Sequence, residues 1–577
     1  MKLFLHLLAA DIRRFRLMIG LWLAVSAAST ALDGVRPMFA SEAFGMNGID
    51  VAGDLVGLAQ LLFGFVLIPL VVQTHPLVGS DAFWMTRPIP PRTLLASKLI
   101  LLAAVIVVVP AVCEVALMIA YKVPPQTMAT VALQTTLWQA MYLTVVMVLA
   151  ALTRNLARFA LLFGGLLLAL ALTAVIMVTI AMARMDDAVA VGVLTVSGGP
   201  PSPSVGDPTS EIVFLFVVIA AGLALLVVQY ATRSSRRSAL VGMAGLVAAW
   251  VLPSVWPWPL LQPRLYVPDW AAAGSALKLS ADRQSVAFDT GDPLSMRKRV
   301  WSIGRALIRL EGIQPGWLPS VAVTGAVLEL NPEVHLSSPG FAHAVAVPIG
   351  EEHRPALRGV MQAALGVGRL ATQDSREPER AVVLLIREAD FKRYAPGTGL
   401  YRGRAAVELT REEVVATLPV QAGATFQDGP YRIVVDEVRI ASETLGIRAR
   451  ISDARTSFDR RPTPTYAFYL RNQQRSEAVG GSVVYMQHNT LLTRLLPGFG
   501  YGISSSSNGP SSNGFSATGQ FIRFPPGYAP SDKDRLDIDE AWIAGAEIVI
   551  VRATDGGSVP RALEIPDFPL RVKVDQR

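Results

Sequence analysis

Residues 99–120 read LILLAAVIVVVPAVCEVALMIA, a 22-residue stretch with a single charge, Glu114. A helix needs about 20 mostly apolar residues to cross a bilayer, so the stretch predicts a membrane span. Pro110 sits in its middle. A proline there removes a backbone donor, and a neighbouring helix must satisfy the freed carbonyl. Six more segments of the same kind lie around it: Leu17–Leu32, Leu55–Val72, Val131–Leu152, Phe159–Ala183, Ile212–Tyr230 and Ala239–Leu260. The expectation is a polytopic α-helical bundle of about seven spans over residues 17–260.

Lys and Arg are sorted between alternate loops of this bundle. One set holds Lys2, Arg13, Arg14, Arg16, then Arg87, Arg92, Lys98, then Arg154, Arg158, then Arg233, Arg236, Arg237. The other holds Arg36, Lys122 and Arg184, a bias of twelve against three. Cytoplasmic loops carry the positive excess. The N-terminus is therefore expected on the cytoplasmic side of the plasma (inner) membrane, and an odd span count puts everything after Leu260 outside. Residues 1–16 read as an amphipathic interfacial helix, with Leu3, Phe4, Leu7, Leu8 and Phe15 toward lipid and the cations toward water. The charged stretch is long for a signal peptide and further spans follow, so it reads as an uncleaved anchor. Trp250, Trp256 and Trp258 suit the headgroup layer at the end of the last span, and Pro253, Pro257 and Pro259 end its helix.

Beyond Arg264 the hydrophobic period falls to two. Candidate strands are Val321–Leu330, Ala344–Ile349, Ala381–Ile386, Tyr431–Val435, Val438–Ile440, Ile447–Ile451, Thr465–Leu470, Ser482–Met486 and Ala546–Val551. Short alternating strands between Gly, Pro and Asp turns predict an all-β, sandwich-like region. A break at Pro396-Gly397-Thr398-Gly399 divides it into lobes at 265–395 and 400–577. Pro355–Leu365 is a helix candidate, and the Gly/Ser/Asn-rich Gly498–Gly519 is expected to be a long loop.

The chain of 577 residues is 52% hydrophobic and only 17% charged, with a net charge of +7. The cations of the N-terminal half sit in short clusters between apolar runs, a membrane-topology pattern, and no basic stripe is interleaved with aromatics, which argues against nucleic acid. Its one cysteine, Cys113, excludes an intrachain disulfide and multi-thiolate metal sites. No phosphate loop, HExxH or Gly-x-Ser-x-Gly is present. The six histidines lack metal-ligand spacing, and Glu351-Glu352-His353 reads as a solvated turn. Asp436 and Glu437 occupy adjacent strand positions and are expected on opposite faces. No catalytic residue, metal or cofactor is expected. Glu114 is the exceptional intramembrane group. It is expected to bond Gln134, Thr135 or Thr136 of the next span, or to reach water at the outer interface.

The loop Asp81–Lys98, DAFWMTRPIPPRTLLASK, is amphipathic and basic, with a rigid proline corner. Thr93 is a candidate N-cap of the following helix, with Leu94 and Leu95 toward the bilayer. Thr86-Arg87-Pro88-Ile89, Arg92, Leu94-Leu95 and Lys98 resemble the corner after the second span in permease subunits of ABC-2 type transporters. The interfacial N-terminal helix is similar too. The resemblance covers about 230 residues and departs from the family in a seventh span and the extra β region. It implies a non-catalytic permease, working as a homodimer or heterodimer and driven by a separate cytoplasmic ATP-binding subunit. Arg87, Pro88, Ile89, Arg92 and Lys98 would form the coupling surface. A membrane-anchored sensor or adhesion protein, whose outer β domains bind a ligand, is the alternative. A membrane enzyme using Glu114 is a third reading.

Overall fold

The computed structural model describes residues 2–39, 48–74, 90–166, 208–255, 277–289, 301–312, 317–338, 361–371, 381–441, 444–454, 465–484, 515–524 and 538–571, with a few single positions besides. Within these, an α-helical half is followed by a β-rich half. Helices α1 (Lys2–Val35), α2 (Gly48–Gln73), α3 (Pro91–Leu102), α4 (Val109–Ala120), α5 (Pro125–Ala151), α6 (Leu156–Leu166), α7 (Pro208–Thr232) and α8 (Ser235–Val255) come first. Five helical stretches among the described residues are long and apolar enough to cross a membrane: Lys2–Met38, Val51–Gln73, Pro91–Ala120, Pro125–Ala151 and Ile212–Thr232. Most of the expected span Phe159–Ala183 lies outside the described residues.

The N-terminus departs from expectation. Lys2–Val35 is one unbroken helix of 34 residues, with no joint at Arg16 between an interfacial segment and a span. The reason is a single buried face. Asp11, Phe15, Trp22 and Ser26 are all buried, and their spacings of 4, 7 and 4 keep one helical stripe against the bundle. At 1.5 Å per residue this helix is about 50 Å long. Small residues let neighbouring helices pack closely at two places. Gly222 of α7 faces Thr144 of α5, and Gly245 of α8 faces Ala221 of α7, leaving no room for a Cβ at either glycine. The α8 helix continues through Pro253 to Val255.

The predicted span 99–120 is continuous with α3, running from Pro91 to Ala120. Its middle, Ala103–Val108, is a π-helix placed just before Pro110. An α-type bond from position 110 would run to Ile106, whose carbonyl the proline ring would strike. A π-type bond would run to Val105, and Pro110 cannot make it. The indole Nε1 of Trp22 donates to the Val105 carbonyl instead, at 3.0 Å. Helix α1 thus supplies the donor that the sequence demands.

Among the described residues, fifteen strands form three sheets. The first is β1 (Lys278–Asp289), β2 (Trp301–Glu311) and β6 (Ala381–Arg387), in the order β1-β2-β6. The second has the order β13-β14-β10-β9-β8, built from β8 (Thr425–Asp428), β9 (Tyr431–Ala441), β10 (Thr444–Asp453), β13 (Ser482–Val484) and β14 (Ser516–Phe524). The third has the order β4-β3-β7-β15-β11-β12-β5. Its members are β3 (Trp317–Asn331), β4 (Val334–Ser337), β5 (Arg369–Ala371), β7 (Thr398–Pro419), β11 (Thr465–Asn472), β12 (Glu477–Gly480) and β15 (Ala546–Pro569). Pairing is antiparallel except between β12 and β5.

The expected division at 395–400 does not separate two cores. Strands β7 and β15 pair from Pro419 with Glu547 to Thr398 with Pro569, far beyond the mean strand length of about 5–6 residues. One end of this ribbon packs Tyr401, Val407, Leu563 and Phe568 against Phe288, Ile308 and Leu384 of the first sheet. The other end packs Ile548 and Ile550 against Ile433, Ile447 and Ile522 of the second. Residues of the expected second lobe therefore complete the core of the first. Two other expectations change. Ser516–Gly519, expected in a loop, pair with β10 between Arg450 and Asp453. Asp436 and Glu437 do not point apart, because a β-bulge opposite Arg448/Ala449 inserts Asp436 and resets the alternation. Asp436 meets Arg450 at 2.7 Å and Glu437 meets Arg448 at 2.9 Å, arginines two positions apart on one face.

Candidate functional site

Arg87, Pro88 and Ile89 lie outside the described residues. The chain immediately beyond them is well defined. Helix α3 begins at Pro91 with Pro90 as its N-cap, so Thr93 is inside the helix and is not the cap. Proline suits this place because its missing N–H is one a first turn leaves unbonded. Arg92 is exposed. Leu94 is buried in the bundle core and does not face lipid.

Lys98 also departs from expectation. As a loop cation it is expected on the coupling surface, yet its side chain is fully buried. Its Nζ donates to Asp11 Oδ2 of α1 at 2.7 Å and to Thr74 Oγ1 at the end of α2 at 2.7 Å. Thr74 in turn donates to the Val71 carbonyl at 2.7 Å. A buried lysine must be paired, because an unpaired buried charge is costly. Lys98 therefore cannot touch a partner protein directly. It locks the start of α3 to α1 and α2, one turn and a half beyond exposed Arg92. Asp11 is not foreseeable as its partner from residue type, being a lone acid in a basic stretch. Its spacing from Phe15 and Trp22 is the signal that could have found it.

The other end of the same helix is tied to the β half. Glu114 Oε2 accepts a hydrogen bond from the Thr135 hydroxyl of α5, one of the expected partners. Its Oε1 accepts from the backbone N–H of Phe515 at 3.1 Å, immediately before β14. Tyr121, the C-cap of α4, is buried. Its hydroxyl donates to the Gly34 carbonyl of α1 at 2.9 Å. Its carbonyl accepts from Arg432 Nη1 of β9 at 2.7 Å. Its ring meets Phe515 edge-on at a centroid distance of 5.4 Å, and the Arg450 guanidinium lies 5.8 Å from the ring centre. Ala454 packs beside Met118, Val123 and Val131 in a small core shared by both halves.

This junction rests on the outward face of the second sheet, where Arg432, Arg448 and Arg450 alternate with core residues. The Arg439 guanidinium bonded to Glu437, with Arg448 beside it, holds the half-buried Glu437 carboxyl below its ordinary value. Arg36, at the end of α1, pairs with Asp54 of α2 at 3.4 Å close by. Neither Arg432 nor Phe515 could have been foreseen, since each meets its helical partner across more than 300 residues of chain. Among the described residues no group of His, Cys, Asp or Glu could hold a metal ion. The charged groups toward both ends of the helix are held by fixed partners, Lys98 by Asp11 and Thr74 and Glu114 by Thr135 and the Phe515 amide. No protein family, no curated protein and no solved structure matches this chain.

Proposed function

We propose that the chain is the permease subunit of an ABC-type transporter, moving a substrate across the plasma membrane under the power of a separate cytoplasmic ATPase. The observation that carries this reading is the anchoring at the start of α3. Arg92 is exposed directly after the proline corner, and Lys98 ties the same helix to α1 and α2. A partner pressing on Arg87 or Arg92 would move three helices together, as coupling to nucleotide binding requires.

The reading includes seven crossings, with α8 and a segment beginning in α6 joining the five long apolar helices. An N-terminus inside and, outside, a sandwich-like β region whose two cores share the β7–β15 ribbon belong to it as well. The contacts of β9, β10 and β14 with the end of α4 support that side, because Lys122 and Arg36 belong to the loops poor in cations. The protein would act as a dimer. An anchored sensor is the second reading, favoured by the direct seat of the β half on the helix ends.

The test is recovery of cytoplasmic proteins on immobilised wild type and on Arg87→Glu. The proline corner is pre-ordered, so docking there costs little entropy. Reversing a charge that is buried against a partner costs about 2–5 kcal/mol, a loss of roughly 30-fold or more in affinity. An ATPase should come down with wild type and be lost with Arg87→Glu, while membrane insertion stays intact. Absence of any ATPase in both samples would sink the permease reading and favour the sensor.

A further inference from the structure

We propose that the π segment Ala103–Val108 is a two-state hinge that sets the grip of the helix bundle on the β half. The inference does not depend on the permease reading. One continuous helix carries all the parts. At its start Lys98 is fixed to Asp11 and Thr74. In its middle the backbone leaves the α register. At its end Glu114 and Tyr121 hold Phe515, Arg432 and Arg450.

Single π turns inside α-helices recur at functional positions. A π turn holds one residue more than an α turn. Closing it to α would turn α4 by about 100° relative to α3 and shift it by about 1.5 Å. That rotation would take Glu114 off the Phe515 amide and the Tyr121 ring away from Phe515 and Arg450. Two groups hold the π register against this. Pro110 would clash with the Ile106 carbonyl in an α-helix. The Trp22 indole satisfies the Val105 carbonyl, which the π register leaves to Pro110. The two α-helical halves stay whole in either state, so the states differ at this turn and in the contacts that Glu114 and Tyr121 make beyond it. Loss of the clash or of the indole bond shifts the balance between the two states, and the junction contacts read out that shift.

The experiment is amide hydrogen exchange on the purified full-length protein, without nucleotide or any partner. Wild type is compared with Pro110→Ala, Trp22→Phe and Glu114→Ala. Pro110→Ala frees the α register, and Trp22→Phe removes the donor that stabilises π. Both should speed exchange at Phe515–Phe524 and in β9, by about two- to tenfold for the loss of one hydrogen bond's worth of restraint. Exchange in β1, β2 and β6, which touch no helix of the bundle through this junction, should stay at wild-type rates. Glu114→Ala cuts the grip directly and shows the size of the full effect. The hinge is overturned if Glu114→Ala changes the β14 amides and neither hinge variant does. It is overturned equally if none of the three does, or if the hinge variants loosen all three sheets alike. Should Trp22→Phe fail to fold, Pro110→Ala alone decides in the same terms.

Discussion

Two side chains show how burial turns a residue's type into a structural obligation. Lys98 sits where a cation ordinarily marks the cytoplasmic edge of a span, and its type alone suggests a surface role. Its surroundings make it the centre of a three-helix lock with Asp11 and Thr74. Removing one partner of a buried pair strands the other charge, at a cost of about 3–5 kcal/mol, whereas replacing both with apolar groups is often neutral. Asp11→Ala and Lys98→Met are each expected to lower thermal stability in detergent sharply. The double variant Asp11→Leu/Lys98→Met should recover most of the loss. Additive losses in the double variant would show that the two groups act separately. Glu412 carries the opposite obligation. Burial raises its carboxyl above the ordinary value, and its Oε2 has no hydrogen-bond partner among the described residues. The folded state thus binds this proton more tightly than the unfolded chain. Below the unfolded value, about 4.3, both states are protonated and nothing is lost. As pH rises toward and past the raised folded value, the folded state is progressively penalised. Glu412→Gln should therefore raise the melting temperature at pH 7.5, with a gain that fades toward pH 4. An equal gain at both pH values would rule ionisation out as the cause.

At the scale of elements, helix α4 ends in a complete Schellman turn. Val123 N–H donates to the Met118 carbonyl and Lys122 N–H to the Ile119 carbonyl, each at 3.0 Å. Met118 and Val123 pack together in the shared core. Lys122 occupies the left-handed position with φ of 57°, a conformation that costs a non-glycine residue about 1–2 kcal/mol. Lys122→Gly should keep or raise thermal stability. Lys122→Val, with its branched Cβ in the same conformation, should lower it and loosen the junction at Tyr121. Equal stability of the two would mean that the turn does not carry the fold of this end. How far elements were legible depends on where their information lies. The spans were readable because twenty apolar residues in a row are local information. Strands such as β9 and β11 were readable from alternation. The 22-residue β7 was missed because Arg402, Arg404, Glu408 and Arg411 break its apolar pattern where it bridges two sheets. The π segment was invisible as such, yet its cause, Pro110, was in plain view. The grip of Glu114 on Thr135 was foreseen because it joins neighbouring helices. Its grip on Phe515 was not, since 401 residues separate them.

At the scale of the whole molecule, one helix decides on which side the β half stands. Pro91–Ala120 is 30 residues long, about 45 Å, against a hydrocarbon core of about 30 Å. Arg92 near its start and Lys122 just beyond its end are both exposed, and if this helix crosses the membrane, as proposed, they belong to opposite sides of it. The second sheet is attached at the Lys122 end through Arg432, Arg450 and Phe515. The β half must then share the side of Lys122, whatever the total number of crossings. Under the proposed reading, cation bias puts the Arg92 side in the cytoplasm. In a Cys113→Ala background, single cysteines at Arg92, Lys122 and Ile440 test this. Ile440 is exposed on β9 and is a large apolar residue outside the helical half. In spheroplasts an impermeant maleimide should label Lys122→Cys and Ile440→Cys at once, and Arg92→Cys only after lysis. Labelling of Ile440→Cys together with Arg92→Cys would place the β half on the wrong side of its own junction and would overturn the seat of β9 on α4. Labelling of Lys122→Cys and Ile440→Cys only after lysis, with Arg92→Cys labelled at once, would leave that seat in place and reverse only the expected orientation of the bundle, since the cation bias and the junction are independent observations.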